Sequence, residues 1–370
     1  MAQRVRILLL IPRLGGGGAQ RVMALLARNL SPEKYEIHLG LVTASAASQG
    51  ELPSWVAVHA FGARRVRWGA PALLRLVWGL RPHVILSGGA EVNFLVLLLR
   101  QFFPPRTSVL VRQNSTVSAT LNSGGVPRST RWLYRLLYRR ADRVICQSRA
   151  MAEDMVRELD FAAGQIAVLP NPVDIAGIRA AANGPAKWSG EGPHLLAVGR
   201  LSLEKRFDLL LRALVRVRER FNDADLTIAG AGREEAALKS LCWELHLDDA
   251  VRFAGYVDHP YEFFPSATVF VLSSHYEGMP NAMLEAAAAG LPIVATRASE
   301  GIADLLSDQP GAWLVREITA EALAETLIAA LEAIRPGERF HREFFSPMTD
   351  GTICAPNHSE GSTASPSARR

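Results

Sequence analysis

The sequence predicts an α/β protein built as two consecutive doubly wound parallel-sheet domains. Short apolar runs of strand length alternate with helical patterns, as crossover units of a parallel sheet require. The 370 residues exceed what one small core organises. The alternation breaks at a Gly-, Pro- and Ser-rich stretch, Asn183–Pro193, and restarts at His194. The expected division is residues 1–172, a linker 173–193, a second domain 194–336, and a tail 337–370.

The first half begins with an apolar run, Val5–Ile11, that reads as a buried strand. Gly15, Gly16, Gly17 and Gly18 follow, then a helical pattern over Ala19–Leu30. Glycines between strand and helix let a ligand approach the backbone, although the run is neither a dinucleotide fingerprint nor a Walker loop; a flexible linker fits it too. Strands are expected at Tyr35–Val42, Val56–Phe61, His83–Ser87, Ser108–Arg112, Asp142–Gln147 and Ile166–Leu169, with helices at Pro71–Leu80, Glu91–Phe102 and Ser148–Leu159. In such a sheet ligands sit at the carboxyl ends of the strands. That places Gly15–Gly18, Gly88–Gly89 and Arg112–Ser115 around one crevice.

The stretch Arg128–Arg140 is a basic, aromatic-rich helix. Arg128, Arg131, Arg135 and Arg139 share a face, and Leu133, Leu136 and Leu137 point elsewhere. Such a helix fits an anionic membrane surface, as does the nearby cluster Arg64, Arg65, Arg67 and Trp68. A solvated helix with its apolar side in the core is the competing reading.

In the second half, strand His194–Val198 leads into Gly199-Arg200 and then Lys205, before a helix over Phe207–Phe221. Two cations in a strand-to-helix loop suit a diphosphate; two ordinary surface bases are the alternative. Strand Leu226–Ala229 ends in Gly230-Ala231-Gly232, and Val251–Gly255 is another short strand. Then comes the unit the half is organised around: strand Thr268–Leu272, a loop with Glu277 and Gly278, a helix opened by Pro280 and closed by Gly290, and strand Pro292–Ala295. Its helix start offers unpaired N–H groups and partial positive charge. Glu277 and Glu285 would repel phosphate but suit hydroxyls, as on ribose or a sugar. They pair only if one comes from the loop and the other from the helix body; a capped surface helix with ordinary acids fits as well. Trp313–Val315 and Ala320–Ile334 complete the half.

Composition narrows the class. Cys146, Cys242 and Cys354 have neither metal nor disulfide spacing, which fits a reducing compartment. The apolar run within Met1–Pro12 is too short for a signal peptide, and no segment approaches the roughly 18 apolar residues of a spanning helix. The expectation is a cytoplasmic protein, peripheral on the inner face of the plasma membrane. The net charge of +5 admits nucleic acid, anionic membrane or phosphorylated substrates. The arginines cluster without any known nucleic-acid module, so no nucleic-acid partner is expected.

Taken in order, GGGGAQR, VGRLSLEK, IAGAG, VRFAGYV and SSHYEGMPNAMLEAAAAGLPIVAT resemble the family-4 (group 1) retaining glycosyltransferases over about Arg4–Ile334. The glycine motifs are individually weak; Arg200-x4-Lys205 followed by Glu277-x7-Glu285 is specific. The resemblance implies the GT-B architecture, two Rossmann-like domains facing across a cleft, and a nucleotide-sugar donor, UDP-linked by family habit. Arg200 and Lys205 would neutralise the leaving diphosphate. Phe253, Gly255 and Tyr256 would lie near the base, and Glu285 would hold ribose. Glu277 would contact the donor sugar, and Asn281, Ala282 and Met283 would offer amides. Gly199, Gly230, Gly232 and Gly278 complete the expected donor site. Gly15–Gly18 would close over phosphate or acceptor. No metal or other cofactor is expected, because fixed cations and helix dipoles take that role. The acceptor would be a saccharide or a polyprenyl-linked saccharide.

Two departures stand out. Where many relatives carry a histidine, this chain has Arg112-Gln113-Asn114-Ser115-Thr116, so Asn114 replaces a proton-relaying side chain. The sequence Arg-Asn-Ser resembles a variant in transferases of surface-polysaccharide pathways. After Ile334 the family's crossing helix is missing and disorder is expected, as a truncated or frame-shifted reading frame would produce. Three functions therefore stand open: a retaining transferase, a nucleotide-sugar-binding protein with impaired catalysis, and a GT-B nucleotide-sugar epimerase. The Arg200/Lys205 and Glu277/Glu285 motifs point to transfer.

Overall fold

The computed structural model describes residues 4–15, 17–43, 52–122, 129–188, 190, 192–342, 345–347 and 354–356. Among the described residues the first domain holds seven parallel strands: β1 (Val5–Ile11), β2 (Tyr35–Leu41), β3 (Val56–Ala60), β4 (Val84–Gly88), β5 (Ser108–Arg112), β6 (Arg143–Cys146) and β7 (Ile166–Val168). The second holds six: β8 (His194–Val198), β9 (Asp225–Ala229), β10 (Val251–Gly255), β11 (Val269–Leu272), β12 (Ile293–Thr296) and β13 (Ala312–Val315). Strand order is β3-β2-β1-β4-β5-β6-β7 in one sheet and β10-β9-β8-β11-β12-β13 in the other. Each order reverses direction beside its first strand, at β1/β4 and at β8/β11. The loops leaving those strands splay apart there and open a crevice.

Helices cover both faces of both sheets, which is why central strands such as β8, β11 and β12 are buried along almost their whole length rather than alternating. In the first domain α1 (Gly18–Asn29) covers one face; α2 (Ala70–Leu80), α3 (Ala90–Leu99), α4 (Val117–Asn122), α5 (Ser129–Tyr138) and α6 (Arg149–Leu159) lie in the other layer. The second sheet is covered on one side by α8 (Phe207–Arg220), α9 (Glu235–Glu244) and α12 (Ala320–Ala333). On the other lie α7 (Ile175–Ala182), α10 (Asn281–Ala288) and α11 (Glu300–Leu306).

Two expectations give way. The segment 173–193, expected to be linker, contains α7. Asp174 caps that helix by accepting from the Gly177 N–H at 2.9 Å, and Ile178 is buried in the second domain's core. Only one apolar face of two turns marks it, and the prolines before it hide the start.

The tail expected to be disordered from residue 337 is fastened for its first residues. The Phe340 N–H donates to the Gly290 carbonyl at 2.7 Å, and the Phe340 ring fills the space over Gly311. Arg342, almost wholly buried, donates to the carbonyls of Leu291 and Gly311 at 3.0 and 2.9 Å. These carbonyls lie in the turns before β12 and β13, and the arginine bridges them; that of Gly311 also accepts from the Ile293 N–H at 2.9 Å. Further on, β14 (Phe345–Pro347) pairs antiparallel with β15 (Cys354–Pro356). Among the described residues no helix follows Ala333. The rest of the tail, with Arg128 and Gly16, lies outside the described residues.

Candidate active site

The site is assembled from loops that leave β8, β9 and β11 in one domain and β1, β5 and β6 in the other. Gly230 and Gly232 do their work inside the second domain. A β-carbon on Gly230 would lie 1.8 Å from the Gly199 carbonyl oxygen, and one on Gly232 would lie 2.1 Å from that of Leu201. The two glycines therefore let the β9 loop lie directly on the β8 loop. The Gly230 N–H donates to the Gly255 carbonyl at 2.7 Å, which ties in the β10 loop.

The β8 and β11 loops are stitched together around Lys205. Its Nζ donates to Glu277 Oε1, and Ser274 Oγ donates to the same oxygen at 2.7 Å. Ser273 Oγ donates to the Lys205 carbonyl at 2.8 Å, and the His275 N–H to the Glu204 carbonyl at 2.7 Å. Lys205 and Glu277 thus sit mostly covered at the cleft floor as an ion pair. The neighbouring Tyr276 hydroxyl is pushed above its ordinary range, first by burial, then by Glu204 and Glu277.

Across the cleft two helix starts meet. α1 opens after Gly17 and α10 after Pro280, and neither has a side-chain cap or an acid in its first turn. A β-carbon on Gly18 would lie 2.2 Å from Asn281 Nδ2. Within α10 the Leu284 N–H is taken by the Pro280 carbonyl at 3.2 Å, so the amides of Asn281, Ala282 and Met283 fall outside the helix's own ladder. The Met283 side chain itself is buried core. Arg200 reaches the same place: its Nη2 would be 3.6 Å from a β-carbon on Gly17. Two positive helix ends and a guanidinium converge where, among the described residues, no side chain caps either helix, which is the electrostatics of an anion site.

Glu277 and Glu285 do not act as a pair. Glu277 holds Lys205, whereas Glu285 faces the other domain, 3.3 Å from Arg21 Nη2 on α1. Burial pushes the Glu285 carboxyl above the ordinary carboxylate range, with Arg21 and His259 pulling it back. Arg21 Nη1 also donates to the Asp258 carbonyl at 3.4 Å. A cavity of about 280 Å³ opens here between α1, α7 and the β10 loop, lined by Gly15, Arg21, Tyr256, His259, Asn281 and Glu285 among others. Gly15 has φ +76°, and a β-carbon there would sit 3.5 Å from the Tyr256 hydroxyl.

Phe253 does not line this cavity. It packs against the core on the α9 side, with Lys239 Nζ 5.8 Å from its ring centre. It lies on the sheet face that α8, α9 and α12 cover.

From the first domain, the β5 loop brings Asn114 against Gly278. A β-carbon on Gly278 would lie 2.8 Å from the Asn114 carbonyl oxygen and 3.0 Å from Gln147 Oε1. Gln147 Nε2 donates to Asn114 Oδ1 at 3.4 Å. The connector completes the frame: Asn171 Nδ2 donates to the Met279 carbonyl at 2.9 Å and to Asn281 Oδ1 at 2.7 Å, while buried Arg112 donates to Asn171 Oδ1 at 2.5 Å. Burial lowers the Arg112 pKa to about 10, so it stays charged at neutral pH. Arg21, Gln147 and Asn171 were not expected as site residues. Arg21 stands at the end of GGGGAQR and Asn171 between two prolines, but only the domain contact reveals what they hold.

Residues 16–176 match the model for Glycosyltransferase Family 4, and residues 192–333 match that for Glycosyl transferases group 1. The chain belongs to the family-4, group 1 glycosyltransferases. A relative in Campylobacter jejuni is 27% identical over 331 residues, 86% of this chain and 88% of its own; it is N-acetylgalactosamine-N,N'-diacetylbacillosaminyl-diphospho-undecaprenol 4-alpha-N-acetylgalactosaminyltransferase. Among solved structures, sucrose-phosphate synthase of Thermosynechococcus elongatus aligns with TM-score 0.73 at 20% identity, over 89% of this chain and 90% of that one. The Anabaena protein HepE in complex with UDP and glucose aligns with TM-score 0.68 at 18% identity, over 89% and 90%. These likenesses establish the GT-B fold. This glycosyltransferase places its candidate site in the GT-B cleft.

Proposed function

We propose that this glycosyltransferase takes a sugar from a nucleotide-sugar donor, UDP-linked, and transfers it with retention to a saccharide or polyprenyl-linked acceptor in surface-polysaccharide or glycolipid synthesis. The observation that carries the donor reading is the meeting of the uncapped α1 and α10 starts beside Arg200. That arrangement suits a diphosphate, and HepE was solved with UDP and glucose. The Campylobacter relative, whose acceptor is named as diphospho-undecaprenol-linked, supports the acceptor class.

Arg200, Lys205 and the free amides of α10 hold the diphosphate and stabilise it as it leaves. Glu277, fixed by Lys205 and Ser274, stands at the donor sugar with Asn114 opposite. Glu285 takes the ribose hydroxyls once Arg21 yields it, and Tyr256 lies against the base. The anomeric carbon loses its bond to the phosphate oxygen and gains one to the acceptor oxygen on the same face. The acceptor proton passes to the departing phosphate. This reading gives the charge work to fixed cations rather than to a metal. We also infer that the enzyme works peripherally at the cytoplasmic face of a membrane.

The test is nucleotide release from UDP- and GDP-sugars with and without a lipid-linked saccharide. Release that needs acceptor and vanishes in Glu277→Ala supports transfer. Tight nucleotide-sugar binding without release supports the binding-protein reading instead.

A further inference from the structure

We propose that the outer surface of the α2–α3–α5 layer of the first domain is a docking surface for an anionic lipid bilayer. This deepens the membrane reading above by naming the surface, and it corrects which face of α5 is used.

Two members of the arginine face of α5, Arg131 and Arg135, are engaged elsewhere. Arg131 lies 2.9 Å from Glu158, and Arg135 pairs with Asp160, both acids at the end of α6. Tyr134, Leu137 and Tyr138 face the core. What points outward is apolar: Trp132 is 65% exposed, with Leu133 and Leu136 beside it. Arg139 and Arg140 are exposed at the same helix's end.

α3 packs between α5 and α2, with Phe94 edge-on to Tyr134 at 4.7 Å. It continues the surface with exposed Leu98 and, just beyond, Phe102. Trp78 of α2 donates its Nε1–H to the Phe102 carbonyl at 2.9 Å and leaves its ring exposed. At the head of α2, exposed Trp68 has Arg65 and Arg67 within 6.0 and 5.7 Å of its ring. Seven large apolar residues thus lie open on one layer, which water does not favour.

Charge decides what covers it. Residues 64–143 hold fourteen arginines and two acids, Glu91 and Asp142, a net of +12. The whole chain is +5, so the remainder carries −7. The net basic charge thus lies in the stretch that carries the exposed Trp68, Trp78 and Trp132. Indole rings and arginines together suit the headgroup region, where one end is apolar and the other wet. Among the described residues no helix is long and apolar enough to cross a membrane, so the contact is interfacial. The surface also backs onto the site: Tyr138 donates to Gln113 Oε1 at 2.8 Å, one residue from Asn114. A bilayer here holds a lipid-borne acceptor near the cleft.

The experiment is co-sedimentation of the full chain with phosphatidylcholine vesicles, with and without about one third phosphatidylglycerol. No donor or acceptor is present, so failure here leaves the transfer reading untouched, and loss of transfer leaves binding untouched. Binding is expected on anionic vesicles only, weakening as salt rises. Arg139→Glu/Arg140→Glu and Trp132→Ser/Leu136→Ser should each lower the partition coefficient on the order of tenfold, while UDP affinity is unchanged. Equal binding to both vesicles, or variants that bind like wild type, overturns the proposal. So does binding of an RNA oligomer that these variants abolish while vesicles are ignored.

Discussion

Gly18 and Asn281 touch across the cleft: there is room for a hydrogen on Gly18 but none for a β-carbon, which would lie 2.2 Å from the Asn281 amide nitrogen. Asn281 cannot simply swing aside, because Asn171 donates to its Oδ1. Gly18→Val should therefore pry the helix starts apart and cut kcat/KM by at least about tenfold, the cost of a small misplacement at a reacting centre. The melting temperature should barely move, since neither core is touched. Gly18→Ala should lose less, and adding Asn281→Ala should recover part of it, measured as nucleotide release.

Lys205 and Glu277 form a mostly covered ion pair. Removing one partner leaves an uncompensated charge, so Lys205→Met should destabilise by about 1–3 kcal/mol. Lys205→Met/Glu277→Gln should regain much of that in denaturant melts while activity stays lost. A double variant less stable than the sum of the singles contradicts this coupling.

Glu285 sets a pH dependence. Its folded pKa is raised above the ordinary 4.5, first by burial. The folded state thus holds this proton more tightly than the unfolded state does. Its contribution is fully present below 4.5 and is lost as pH rises through the folded pKa. Glu285→Gln should flatten that part of the stability–pH curve. Arg21→Ala removes an attraction and should raise the pKa further, read directly by carboxyl NMR.

Gly230 faces backbone, not solvent. A β-carbon 1.8 Å from the Gly199 carbonyl cannot be accommodated by a side-chain shift. Gly230→Ala should lower stability by about 1–3 kcal/mol and weaken UDP binding together, because both loops must move.

Phe253 within β10 and Tyr256 just past its end serve different parts of the molecule. Tyr256 is half exposed and lines the cavity, whereas Phe253 is partly buried and packs against the core. Tyr256→Ala should weaken nucleotide affinity with little change in stability. Phe253→Ala should do the reverse, at a cost of about 2–4 kcal/mol.

Local pattern carried a reader a long way. The strand at Val5–Ile11 and the one at His194–Val198 are apolar runs whose limits the structure reproduces. Ser148 caps α6 as its residue type predicts, accepting from the Met151 N–H at 3.2 Å. α7 escaped because two turns with one buried isoleucine look like linker. The fastened tail escaped because Phe340 and Arg342 find their partners in turns far back in the chain.

The sequence by itself determined the two alternating halves, the family, and which loops hold the cations and carboxylates. Those properties depend on neighbours in the chain, through period, propensity and turn chemistry. Only the tertiary structure decided that Glu277 holds Lys205 while Glu285 meets Arg21, that Phe253 turns away from the cleft, and that α5 shows its tryptophan outward. Each of these depends on which face of one element meets another, and that choice is made by packing between residues distant in the chain.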